Sequence, residues 1–179
     1  MATVVSYRPN YLTFPRQVYP DANFLISFYV PNHKWHSKAS ILLAELTSQK
    51  VEIHLSLLAV DEALFQLLIL TYEDQKGAGS WHRDRPMETD PSICARLHPE
   101  LDLFVRRLWQ LPNLRLIDIP TPAFDILDDL LRSIALYSLA PRDAFHLAIL
   151  KAVGLSMIVT NDSDFERVHD LPIYVLHFW

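Results

Sequence analysis

Cys94 is the only cysteine in this sequence. It excludes an internal disulfide framework and a cysteine-built zinc site, and it fits a reducing compartment. Glycine is nearly as scarce, with three residues in 179, and half of the residues are apolar. That composition argues against disordered or fibrous classes and for a real buried core, with one domain the expectation at this length. Net positive charge is missing too: 16 Lys and Arg face 21 Asp and Glu, for a formal charge of −5. Global attraction to nucleic acid is therefore excluded, and any such binding must come from local basic clusters and bound metal. The N-terminus, Met1 to Pro9, lacks a signal-peptide layout. The longest greasy stretch, Leu55 to Tyr72, is broken by Asp61, Glu62 and Gln66, which makes a poor membrane span. The expectation is a soluble, cytoplasmic protein with no membrane association.

What is present is an alternation of short apolar runs and amphipathic stretches. Residues 1–16 carry Pro9 and Pro15 without a clear period and read as an irregular N-terminal extension. Residues 17–20 read as a short strand. Ala22 to Tyr29 reads as a helix ended by Pro31, which cannot continue it. His36 to Ser48 has Ala39, Leu42, Leu43 and Leu46 at helical spacing, and Val51 to Leu55 alternates as a strand does. Ser56 resembles the N-cap of a largely buried helix running to about Tyr72. Residues 73–98, with Gly77, Gly79, Pro86 and Pro91, read as an irregular polar insertion holding at most a turn of structure. A helix over 100–110 and a strand over 114–119 closed by Pro120 follow, then a helix over 123–136 after Pro122. Pro141 begins another helix with Gly154 as its C-cap. A strand over 155–160, a short helix over 165–168 and a strand over 173–176 complete the chain. This order predicts one α/β domain over 1–179 with a central, mainly parallel sheet.

Four carboxylates stand at the edges of these segments: Asp21, Glu62, Asp143 and Asp162. In an open α/β sheet, strand-end positions converge on one edge, where ligands bind. Acids gathered there repel one another unless a hard divalent cation such as Mg²⁺ or Mn²⁺ neutralises them. Phosphodiester hydrolysis needs a nucleophilic water, neutralisation of developing charge and help for the leaving oxygen, and one or two such ions supply all three. Each acid also has a plainer reading. Aspartate after a strand is a common helix N-cap, and Asp143 sits in a first turn where a carboxylate meets the helix dipole favourably. Asp164 could simply cap the helix after it. Periodicity does not choose between Glu62 and its neighbour Asp61. Asn23 and Thr160 either position water or phosphate beside the acids or make local backbone hydrogen bonds.

His146, three residues after Asp143, either approaches the acids or packs. Two basic-aromatic patches, Lys34-Trp35 with Lys38 and Trp81 with Arg83 and Arg85, either bind phosphates and stack bases or are solvated loops with an aromatic anchor.

The sequence around the acids resembles the PIN domain family, whose members include VapC-like ribonucleases. The segment Pro141-Arg142-Asp143-Ala144 enters a helix, as that family's Asp-Ala pair does. Thr160-Asn161-Asp162-Ser163-Asp164-Phe165 is similar to its Thr-x-Asp-x-Asp-Phe ending, and Asp21-Ala22-Asn23-Phe24 to its first acidic motif. Ser56 to Ala63 is similar to the helix bearing the second acid. The resemblance spans residues 17–70 and 114–176. It implies a three-layer α/β/α fold and a Mg²⁺ or Mn²⁺ site built from Asp21, Glu62, Asp143 and Asp162, with Asp164 auxiliary. Motif spacing selects Glu62 over Asp61.

The resemblance also implies a metal-dependent ribonuclease with an RNA substrate. An antitoxin partner and a homodimer are further expectations, and so is an RNA-processing nuclease without an antitoxin. The N-terminal extension and the 73–98 insertion depart from the most compact toxin pattern.

The rival is a non-catalytic PIN-like module that uses its acids as caps and binds a protein through residues such as Trp35, Leu43 or Trp179. A haloacid-dehalogenase-like phosphatase wants Asp-x-Asp after the first strand, where this chain has Asp21-Ala22-Asn23. A receiver-like domain wants a lysine at a later strand end, which has no counterpart here.

Overall fold

A computed structural model describes residues 2–10, 13–118, 123–169 and 171–179. In chain order it contains β1 (Thr3–Ser6), β2 (Gln17–Pro20), α1 (Ala22–Tyr29), α2 (His36–Ser48), β3 (Glu52–Leu55) and α3 (Leu57–Lys76). These are followed by α4 (Ser80–Asp84), α5 (Pro86–Thr89), α6 (Ile93–Trp109), β4 (Leu114–Leu116), α7 (Ala123–Tyr137) and α8 (Pro141–Ala152). Strand β5 (Met157–Val159), a 3-10 turn over Ser163–Arg167 and β6 (Tyr174–His177) end the chain.

Local chemistry sets the element ends. Asp21 and Ser56 accept the backbone N–H groups of Phe24 and Ala59, at 2.9 and 3.1 Å, as helix N-caps. Pro141 occupies the first turn of α8, where its missing N–H costs nothing. Beyond α8, Gly154 takes φ +70°, and Leu155 N–H reaches back to the Leu150 carbonyl at 3.0 Å. That is the helix-ending pattern for which glycine is suited.

The six strands of the described residues form one parallel sheet in the order β1-β6-β5-β2-β3-β4. Successive strand residues point to opposite faces, so Val18 joins one core and Tyr19 the other. The first core packs α1, α2, α3 and α6 on Val18, Ile53 and Leu55. The second packs α7 and α8 on Tyr19, Ile158 and Val175. The result is the expected three-layer α/β/α arrangement. The sequence order reverses at β2, which has β3 on one side and β5 on the other. A crevice outside the carboxyl ends of these strands follows from that switch.

Three details differ from the sequence reading. Residues 3–6 form strand β1 on the edge of the sheet, paired with β6, within the extension read as irregular. Four residues are too few to show a period, and their hydrogen-bond partners lie at the far end of the chain.

The 73–98 insertion is mostly helical. Helix α3 runs on to Lys76 before Gly77 at φ +97°, and α6 begins at Ile93 with Pro99 inside it. That proline obscures the helix in the sequence. What holds the segment is tertiary: Trp81, Ile93 and Leu97 bury against Leu68 and Tyr72 in a small separate core.

Leu43, weighed as a surface residue, is a core residue. The expected strand closure at Pro120 and helix start at Pro122 lie outside the described residues. Among the described residues no helix is long and apolar enough to cross a membrane.

Candidate active site

The four acids arrive on four different elements and line one cleft of about 260 Å³, together with Asn23, Arg142 and His146. Asp21 leaves the end of β2, and its backbone N–H is bonded to the Val159 carbonyl at 3.2 Å. Because Pro20 pairs with Val159, Asp21 and Thr160 are adjacent in space. Thr160 donates its hydroxyl to Asp21 Oδ2, and Asn23 Nδ2 donates to the same oxygen at 3.3 Å. Asp21 Oδ1 meanwhile caps α1. Asp21 is therefore both cap and cleft acid. Burial pushes its pKa up to about 6 against the pull of those hydrogen bonds.

The Thr160 hydroxyl also accepts the Asp162 N–H at 2.9 Å, which fixes the loop that carries Asp162. Asp162 caps the 3-10 turn through Asp164 N–H, also at 2.9 Å. Asp143 lies in the first turn of α8. Desolvation pushes its pKa up to about 6, with Asp162, Asp164 and Glu62 adding to the rise by like charge.

Glu62, on the second turn of α3, bonds His146 Nε2 through Oε2 at 2.9 Å and faces Arg142 Nε from Oε1 at 3.7 Å. Its neighbour Asp61 is exposed and does not line the cleft.

A model of the PIN domain family matches residues 18–171. The chain belongs to that family. Among solved structures it is similar to the Mycobacterium tuberculosis VapC20, a Sarcin-Ricin loop cleaving toxin, with 13% identity and a TM-score of 0.57, over 87% of this chain and 98% of that one. FitAcB from Neisseria gonorrhoeae superposes with 17% identity and a TM-score of 0.55, over 89% and 96% of the two chains. VapBC2 from Rickettsia felis, bound to a DNA fragment from its promoter, gives 15% identity and a TM-score of 0.54, over 90% and 98%. Identities this low establish a shared fold. A comparison with curated proteins gives no match.

Within this PIN domain, the donor chemistry of the cleft fits a hard divalent cation. It offers carboxylate oxygens, two of them on groups raised to about 6, opposite a single arginine. Among the described residues no group of three His, Cys, Asp or Glu side chains is already arranged to hold a metal ion. Asp21 and Glu62 are instead tied by hydrogen bonds to their own supports.

Asp164 is not on the cleft lining. Its carboxylate pairs with Arg167 at 2.7 Å and acts on Asp143 only as a like charge.

The basic-aromatic patches stand apart from the acids. Trp81 is 7% exposed, and its ring meets Phe65 and Tyr72 edge-on at 5.9 and 5.8 Å, so it is no open platform for a base. Arg83 pairs with Asp84 and Arg85 with Glu88. Half-buried Trp35 carries the Lys34 and Lys38 ammonium groups at 5.4 and 5.1 Å from its ring centroid. A larger cavity of about 620 Å³ beside Lys34 contains none of the four acids. Chemistry, rather than size, therefore selects the smaller cleft.

Three residues of the site were not anticipated. Arg142 is the one Lys or Arg on the acid cleft among the described residues. Tyr19 and Ser56 stand behind His146, whose Nδ1 meets the Tyr19 hydroxyl at 2.5 Å, while that hydroxyl meets Ser56 Oγ at 2.7 Å. The Tyr19 hydroxyl is pushed well above its ordinary pKa by burial and stays protonated. Arg142 stood inside the Pro-Arg-Asp-Ala segment as a signal. Tyr19 had none, because a strand tyrosine reads as core.

Proposed function

We propose that this PIN domain is a divalent-metal-dependent endoribonuclease that hydrolyses RNA phosphodiester bonds, with Mg²⁺ or Mn²⁺ as cofactor. The observation that carries the reading is the meeting of Asp21, Glu62, Asp143 and Asp162, from four elements, on one cleft with little compensating charge. A group raised to about 6 is costly to ionise, and a bound cation returns that cost as affinity.

Asp21 and Asp162 hold the ion, and Asp143 joins them directly or through water. Such an ion, when bound, supplies a nucleophile at neutral pH and stabilises charge on the phosphorane-like transition state. Glu62 orients the attacking water. Arg142 meets the phosphate, where its planar fork suits two oxygens. Asn23 and Thr160 keep the Asp21 carboxylate in place. No histidine base is needed.

The likeness to VapC20 and VapBC2 supports a toxin paired with an antitoxin protein. We extend the proposal to action in the cytoplasm and to a homodimer. An RNA-processing nuclease without an antitoxin uses the same site. One observation favours a second reading. Glu62 is already satisfied by His146 and Arg142, and no three acids are preset for a metal, as in a scaffold that keeps its acids for structure.

Cleavage of a mixed structured RNA pool separates the two, run with Mn²⁺, with Mg²⁺ and with EDTA beside Asp143→Asn. Metal-dependent cutting absent from the variant supports the nuclease. A folded wild type that neither cuts nor binds Mn²⁺ supports the scaffold.

A further inference from the structure

Behind the acid cleft, three buried side chains, Ser56, Tyr19 and His146, form a line that ends on Glu62 at the cleft. Ser56 is 2% exposed, Tyr19 0% and His146 2%, so water cannot substitute for a missing partner along it. The contacts are 2.7 Å from Ser56 to Tyr19, 2.5 Å from Tyr19 to His146 Nδ1, and 2.9 Å from His146 Nε2 to Glu62 Oε2.

The direction of the line follows from what each group can do. A carboxylate only accepts, so His146 must carry its proton on Nε2. With the ring neutral, Nδ1 then accepts, and the Tyr19 hydroxyl donates to it. The Tyr19 oxygen in turn accepts from Ser56, whose own oxygen takes the Ala59 N–H at 3.1 Å. Every atom has one consistent role. The opposite tautomer would set two lone pairs against each other at Glu62.

Pure packing does not account for this line. A phenylalanine and a leucine would fill the same space without burying three polar groups that must all be paired. Moreover, the line ties together three of the four elements that carry the cleft acids. Tyr19 lies two residues before Asp21, Ser56 lies on the cap of the helix bearing Glu62, and His146 lies one turn beyond Asp143.

We propose that Tyr19 and His146 are positioning residues for Glu62. Tyr19 locks the imidazole tautomer, and His146 holds Oε2 back against α8, which leaves Oε1 to face Arg142 and the cleft. The inference rests on the nuclease reading of Glu62 given above.

The test uses the full chain, with Tyr19→Phe, which keeps the ring and removes only the hydroxyl. His146→Gln serves as the conservative variant because its amide can still donate to Glu62. Three quantities are read: the imidazole ¹⁵N shifts of the metal-free protein, Mn²⁺ affinity by calorimetry, and steady-state RNA cleavage. The expectation is a single Nε2–H tautomer in wild type and a mixture in Tyr19→Phe. kcat should fall about 10- to 100-fold in Tyr19→Phe, the usual effect of removing a supporting hydrogen bond, while Mn²⁺ affinity, assigned to Asp21 and Asp162, should change little. KM for RNA should be unchanged, and His146→Gln should fall less than His146→Ala.

Tyr19→Phe that binds Mn²⁺ and cleaves as wild type does overturns the positioning role and leaves the nuclease reading standing. A wild type with an Nδ1–H tautomer overturns it as well. A wild type that neither binds Mn²⁺ nor cuts overturns the nuclease reading itself, and the positioning role falls with it.

Discussion

Asp143→Asn tests the charge balance of the cleft directly. In the metal-free chain the Asp143 carboxyl is raised from 3.8 to about 6, by desolvation first and then by Asp162, Asp164 and Glu62. At about 1.4 kcal/mol per pH unit, the undiscounted penalty for holding it ionised at neutral pH is about 3 kcal/mol. Asp143 is only half-buried, so solvent screening leaves roughly 1 kcal/mol of that. Asparagine also gives up the favourable meeting of a carboxylate with the first turn of α8, about 0.5 kcal/mol. The net expectation is a metal-free variant as stable as wild type or better by up to about 1 kcal/mol, a rise of at most about 2 to 4 °C in Tm.

The pH dependence fixes the sign. A carboxyl with a raised folded-state pKa contributes stability that is fully present below its unfolded value of 3.8 and lost as pH rises through about 6. Wild type and variant should therefore agree below about pH 4, diverge progressively between about 4 and 6, and keep a constant difference above that. Urea denaturation in EDTA across that range measures the difference. Added Mn²⁺ should then stabilise wild type by about 2.7 kcal/mol at a hundredfold excess over Kd, and the variant much less. A variant clearly less stable than wild type in EDTA at neutral pH would refute the reasoning, because Asp143 would then be serving its helix.

Asp21 should show the same sign more strongly because it is fully buried. Its rise from 3.8 to about 6 corresponds to about 3 kcal/mol of metal-free stability, present below pH 3.8 and lost as pH rises through about 6. A stability–pH curve flat over that interval in EDTA would count against it. Thr160→Val removes the donor to Asp21 and the acceptor for the Asp162 N–H, and should cost about 1–3 kcal/mol in urea denaturation. Trp81→Ala should cost about 3–5 kcal/mol by emptying the small core under α4, while RNA affinity of the folded variant stays unchanged. Weaker RNA binding at unchanged stability would restore Trp81 as a contact. Arg83→Ala and Arg85→Ala, exposed arginines paired with half-buried Asp84 and exposed Glu88, should move Tm little.

Much of this molecule can be read from local signals. Pro31, Ser56, Pro141 and Gly154 punctuate helices because each has a fixed backbone consequence, and strand-end acids are visible because they interrupt apolar runs. What escapes is whatever depends on a partner distant in sequence. Strand β1 needs β6, some 170 residues on, to satisfy its hydrogen bonds. The helices of 80–109 exist because Trp81, Ile93 and Leu97 find Leu68 and Tyr72, and their glycines and prolines conceal that.

The site shows the same division. Asp21, Glu62, Asp143 and Asp162 were legible as types at positions, whereas their supports were not. Periodicity leaves Glu62 and Asp61 equivalent on paper. In space only Glu62 turns toward α8, where His146 crosses 84 residues of chain to meet it and Tyr19 crosses 127 to meet His146. A carboxylate held from behind has fewer rotamers to lose when it acts, which is the physical content of preorganisation. The acids indicate what chemistry the cleft can do. The buried hydroxyl and imidazole behind them determine how well Glu62 is aimed, and only long-range contacts reveal that.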